Sequence, residues 1–121
     1  MPVVKPSGTA FDDALDYFVL VPPQLRAEHY VVHAICEIRG KRFAHAWVEY
    51  MQGSTLYRFE GVLVDGARGY RCHRPEAFEK LFSVEQSTRY TFAEVLALNE
   101  RHNNFGPWLP EYLALCEARP S

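Results

Sequence analysis

At 121 residues and 14.0 kDa the chain is the size of one domain, long enough to bury a core of its own. Hydrophobic residues make up 48% and charged residues 23%, which is a globular composition and excludes a disordered tail. The formal charge is −2, from 13 basic and 15 acidic side chains with no concentrated basic stripe, so nucleic acid is not an expected partner.

Residues 1–8 hold two prolines and a glycine and read as a loose lead-in to a single domain spanning 1–121. No basic region followed by an apolar stretch opens the chain, and no apolar run approaches the roughly 18 residues that span a bilayer. A cytoplasmic protein without a membrane partner is therefore expected. Ser7 or Thr9 can cap a helix over Phe11–Phe18, in which Phe11, Leu15 and Phe18 form one apolar face. Asp12 and Asp13 suit its positive N-terminal end, and Pro22-Pro23 stops it.

From Tyr30 the period changes to that of strands. Tyr30–Ile38, the turn Arg39-Gly40-Lys41 and the strand Arg42–Tyr50 predict a hairpin. A second turn at Gln52-Gly53-Ser54 leads into Leu56–Asp65, with a bulge expected at Gly61. After Gly66–Gly69 the pattern turns helical, with Pro75 opening a helix through Phe82. Thr91 and Glu94 form a capping-box pattern for a helix to about His102, and a last helix covers Pro110 to Glu117 with Tyr112, Leu113 and Cys116 on one face. Between them, Phe105 and Trp108 are expected to fold back over the core. The order predicts an α+β fold: an antiparallel meander of three or more strands, with an N-terminal helix and C-terminal helices packed against it.

Alternation on the second strand puts Phe43, His45, Trp47 and Glu49 on one face, and Ala44, Ala46, Val48 and Tyr50 on the other. The second face packs on the core. The first sets an imidazole and a carboxylate beside two large aromatics, a setting that tunes a histidine. In a meander turning near Gly53, position 45 lies roughly opposite 61 and 62, and a bulge at Gly61 brings Asp65 nearer His45. An Asp placed there holds the ring in one tautomer. The competing structural reading has His45 bonded to a backbone carbonyl and Asp65-Gly66 making a turn.

Phe43-Ala44-His45-Ala46-Trp47-Val48-Glu49, followed by Val62-Leu63-Val64-Asp65, resembles the His and Asp strands of the transglutaminase-like and papain-like cysteine hydrolases. The resemblance implies that His45 is the base activating a thiol and that Asp65 orients it. It also implies a nucleophilic Cys at the start of a helix upstream of those strands. This chain has no Cys before Cys36, which lies inside a strand; Ser7 and Thr9 fall nearest the required place. A hydroxyl lacks the nucleophilicity of a thiolate.

Other chemistry is thinner. The cysteines Cys36, Cys72 and Cys116 are odd in number and widely spaced, and read as reduced thiols. His33 and Cys36 fall on opposite faces of a strand and Cys72-His73 are adjacent, so no metal and no cofactor is expected. Arg71, His73 and Arg74 around Cys72 would lower its thiol pKa if they cluster. Three functional readings follow. The leading one is a noncatalytic relative of these hydrolases that binds a small molecule or peptide-like partner through Phe43, Trp47 and Glu49 beside the candidate pair His45 and Asp65. The second is an acyl-transfer or amide-hydrolysis enzyme that pairs His45 with Cys72, Thr9 or Ser7. The third is an assembly module, in which case a homo-oligomer would form through the aromatic surface.

Overall fold

The computed structural model describes residues 4–6, 8–80 and 83–117. The strand β1 (Val4–Pro6) precedes helix α1 (Ala10–Val19) and a 3-10 turn over Pro23–Glu28. Four strands follow as a meander: β2 (His29–Ile38), β3 (Lys41–Gln52), β4 (Thr55–Val64) and β5 (Ala67–His73). Helix α2 (Pro75–Glu79), strand β6 (Ser83–Tyr90), and helices α3 (Phe92–His102) and α4 (Pro110–Glu117) complete the chain. The strands make one antiparallel sheet in the order β1-β4-β3-β2-β6, with β5 on the other side of β4. The fold is α+β.

The periodicity that predicts α1 also explains its packing. Leu15 and Phe18 are buried with Ala14 against Val31, Ala46 and Val48, and Phe11 packs at the margin. Burying a side chain such as Phe18 contributes about 1.5–3 kcal/mol. Thr9 stands at the N-cap position without capping through its side chain; its hydroxyl donates instead to Asp13 Oδ1 at 3.0 Å. At α3 the capping box forms as the sequence predicts, with Thr91 Oγ1 accepting from Glu94 N–H and Glu94 accepting from Thr91 N–H. Loop 103–109 divides its aromatics: Trp108 is buried in the core, whereas Phe105 is 40% exposed. In α4, Tyr112 is buried and Leu113 lies largely in solvent; the Cys116 side chain is outside the described residues.

Several details differ from the sequence expectations. The lead-in contains a strand, because β1 pairs with Val62–Val64 of β4. The segment after Gly69 is not helical until Pro75, since Ala67–His73 pairs with β4 along its length. Residues 83–90 form a further strand beside β2, where the sequence offers polar residues and little alternation. The predicted helix through Phe82 closes at Glu79 in the described residues; 81 and 82 lie outside them.

Gly61 marks a close approach, with no bulge beside it. The β4–β5 register runs unbroken through Gly61↔Tyr70, and the sheet's irregularity lies between Ile35 and Cys36. The ladder between β3 and β4 ends at Val48↔Phe59. Beyond that pair the strands part: β1 pairs with Val62–Val64, and the buried Asp13 of α1 comes up against Gly61. A Cβ at Gly61 would overlap the Asp13 carboxyl group. Asp13 in turn bonds to Thr9 and Arg68, and its backbone carbonyl accepts from Tyr70 Oη at 3.1 Å.

Gly61→Ala should therefore destabilise the fold by about 1–3 kcal/mol, the cost of overpacking a site with little room to relax. Gly69→Ala, whose Cβ meets Val64 at an ordinary 3.7 Å, should cost far less in the same urea titration. Equal losses for the two would contradict this account of Gly61.

Candidate functional site

Alternation along β3 holds as the sequence predicts, and the cross-strand register extends each face over the sheet. Ala46 and Val48 join the α1 cluster, and Ala44 packs with Ile35 and Tyr112. The opposite face carries Phe43 and Trp47, packed with Val32, Ala34 and Cys36. His45 lies between these two aromatics, its ring 5.9 Å from Phe43 and 5.8 Å from Trp47. His45 therefore looks away from α1.

Glu49 and Arg58 are Cα partners across β3 and β4, which carries that face onto Glu60, two residues on. Opposite Arg58 and Glu60 on β5 stand His73 and Arg71. Glu60 sits at the centre of this group. Its Oε2 meets His45 Nε2 at 3.0 Å; its Oε1 meets His73 Nε2 at 2.9 Å and Arg71 Nη2 at 2.7 Å. Burial alone would raise the Glu60 pKa, but hydrogen bonds from His45, Arg71 and His73 hold it down at about 2. An ionised carboxylate only accepts. Both imidazoles therefore present Nε2–H to Glu60.

A second carboxylate is clamped alongside. Glu49, 2% exposed, accepts from Trp47 Nε1 at 3.2 Å and Arg58 Nε at 3.0 Å on one oxygen, and from Arg89 on the other. The Arg58 guanidinium also lies 5.3 Å from the Trp47 ring centroid. Trp47 is 1% exposed, so Trp47 and Glu49 form a floor. The accessible rim comprises Phe43, half-buried, the His45 side chain at 13% exposure and the Arg71 side chain at 39%.

Asp65 stands elsewhere. It is exposed in the β4–β5 turn, in the left-handed region with φ 51° beside Gly66, as the Asp-Gly turn reading expects. The acid on the His45 ring is Glu60, five residues earlier in the same strand. A bulge at Gly61 with continued pairing of β3 and β4 favours Asp65 over Glu60, and neither forms. Arg71 and His73 fall in the segment after Gly69 that carries no strand signal in the sequence. As a strand, Arg71 and His73 share the Glu60 face and Cys72 takes the other.

The candidate nucleophiles divide in the same way. Cys72 pairs with Phe59 on the α1 face, and partial burial raises its thiol pKa. Clustered cations do not depress it. Cys36 is on the His45 face but is fully buried, and burial pushes its thiol up to about 12. Thr9 lies at the start of α1, across the sheet from His45, beside an open cleft that Asp12, Asp16 and Arg68 also line. Ser7 lies outside the described residues. Among the described residues no group of three His, Cys, Asp or Glu side chains could hold a metal ion, and no helix is long and apolar enough to cross a membrane. Comparison of the chain with family models, with characterised proteins and with solved structures finds no match.

Because the folded Glu60 pKa lies below its ordinary 4.5, its contribution to stability is complete above that value and is lost as pH falls toward about 2. Glu60→Gln should cost about 3 kcal/mol at pH 7, since it removes one member of a buried charged group. The variant should also lose less stability than the wild type between pH 5 and pH 3, measured by urea unfolding. Parallel pH profiles would contradict the assigned role of Glu60.

Proposed function

We propose that the chain is a noncatalytic binding domain, related to the cysteine hydrolases its β3 motif resembles, that takes a small peptide-like or amide-bearing ligand at the rim of Phe43, His45 and Arg71. The observation that carries this reading is the direction of His45. The ring looks away from α1, whose N-terminal hydroxyl Thr9 is bonded to Asp13, and the thiol on the His45 face is buried and held protonated. A nucleophile presented by α1 would have to act through the sheet.

What the rim offers instead is recognition. His45 stands at the rim with its Nε2–H turned to Glu60, so its ring is held in one orientation beside a bound amide. Arg71, anchored to Glu60 by two of its nitrogens, keeps donors for a carbonyl or carboxylate oxygen. Phe43 supplies an apolar wall, and the dry floor of Trp47 and Glu49 keeps the group in one arrangement.

The indole N–H signals test this with a blocked dipeptide amide, N-acetyl-alanyl-alaninamide, as the probe. Titration to about 10 mM, where even weak affinity registers, should shift the Trp47 Nε1–H resonance saturably and leave that of Trp108 in place. His45→Ala should weaken binding by about tenfold, the scale of one hydrogen bond together with the apolar contact of the ring. An unmoved Trp47 signal, or unchanged affinity in His45→Ala, would sink the binding reading. Turnover of the probe that His45→Ala abolishes would replace it with the hydrolase alternative.

A further inference from the structure

On the α1 face, away from the Glu60 group, β2 carries a second histidine in a different situation. His33 is fully buried, and neither ring nitrogen has a hydrogen-bond partner among the described residues. Its ring is enclosed by aromatics from four directions. Phe11 of α1 stands edge-on at 4.7 Å, Tyr90 of β6 at 5.0 Å and Tyr112 of α4 at 6.5 Å, while Trp108 tilts over it at 4.9 Å. Gly106 closes the remaining approach so tightly that a Cβ there would lie 2.6 Å from His33 Cε1. The Tyr90 hydroxyl is also buried without a partner. Buried polar groups are nearly always hydrogen-bonded, so three such atoms in one cage call for a physical reason.

We propose that the segment Asn103–Leu109 is a proton-gated strap, held over the neutral His33 ring and released when that ring takes up a proton. The titratable groups facing the ring are Tyr90 from β6 and Tyr112 from α4; α1 and the strap present Phe11 and Trp108. Neither phenol stabilises an imidazolium by charge, and the Tyr112 hydroxyl already bonds to Thr88 Oγ1 at 2.9 Å. Protonation inside the cage is strongly disfavoured, and burial holds the His33 pKa down at about 3. The proton is accommodated only when the ring reaches water.

The strap is the wall that yields at least cost. Three walls belong to the sheet, α1 and α4. The strap is held by short local bonds: Asn99 Nδ2 to Asn104 O at 2.9 Å, Gly106 N to Asn104 Oδ1 at 3.0 Å and Trp108 Nε1 to Asn104 O at 3.3 Å. Phe105 at its crown already faces solvent. Pro107 and Trp108 are buried, but Asn103–Phe105 are exposed and the segment lies between α3 and α4 rather than within a helix or strand, so it opens before those elements do. Opening turns Trp108 out and uncovers an aromatic surface of Phe11, Tyr90 and Tyr112.

The sign and size follow from linkage. The folded pKa is depressed, so closure is fully stabilised above the ordinary value of 6.5 and weakens as pH falls below it. With the open ring at its ordinary value and the closed ring at about 3, the opening constant should rise about thirtyfold from pH 7.5 to pH 5. Hydrogen exchange at the Trp108 indole N–H, corrected for its intrinsic pH dependence, reads this directly. Trp47 reports global unfolding in the same sample, since its N–H is bonded to Glu49 on the far face. In the wild type, Trp108 opening should rise about thirtyfold while Trp47 stays protected. His33→Gln and His33→Phe should abolish the rise, whereas His102→Gln at the end of α3 should keep it. A rise shared by Trp47, one that survives in His33→Gln, one lost in His102→Gln, or no rise at all would each overturn the proposal. Should neither His33 variant fold, the His33 Cε1–H shift of the wild type decides the matter. Proton uptake in step with Trp108 opening supports the strap; a ring that stays neutral while Trp108 opens refutes it.

Discussion

The parting of β3 and β4 beyond the Val48–Phe59 pair governs what each face of this sheet can do. On one side of the sheet, Asp13 of α1 reaches the backbone of Gly61 where no other residue leaves room. On the other, β4 stays with β5 and delivers Glu60, Arg71 and His73 to the end of β3 that β4 has left, where His45 stands. One change of partner thus sets both the seat of the helix and the acid that meets the histidine.

Two buried glutamates then organise the exposed face of the sheet by their demand for donors. A carboxylate taken out of water must be paired and hydrogen-bonded. Glu60 collects two imidazoles and a guanidinium, and Glu49 collects two guanidiniums and an indole. The result is a fixed polar surface on the sheet. The α1 face is built on the opposite principle: its aromatic core encloses a histidine with no hydrogen-bond partner among the described residues.

Strong local signals were legible in the sequence. The face of Phe11, Leu15 and Phe18, the β2–β3 hairpin at Arg39-Gly40, and the Thr91–Glu94 box all form, because each is fixed by contacts within a few residues or by strict alternation. β1, β5 and β6 were illegible for a common reason. Each pairs along an edge, where ladder hydrogen bonds stabilise charged and polar residues without an apolar period. The split within the site follows from this. His45, Phe43, Trp47 and Glu49 could be assigned to one face from β3 alone. Replacing Asp65 by Glu60 required knowing that β3 leaves β4, and that Arg71 and His73 belong to a strand.

Glu60 fixes the His45 ring through its Nε2–H on the face away from α1. Long-range proton–nitrogen correlation of the imidazole rings at pH 7.5 tests it most directly, because the two tautomers have distinct nitrogen shifts. The account predicts that His45 carries a proton on Nε2, and that Glu60→Gln changes the Nε2 signal. A His45 ring without a proton on Nε2, or one indifferent to Glu60→Gln, would contradict it.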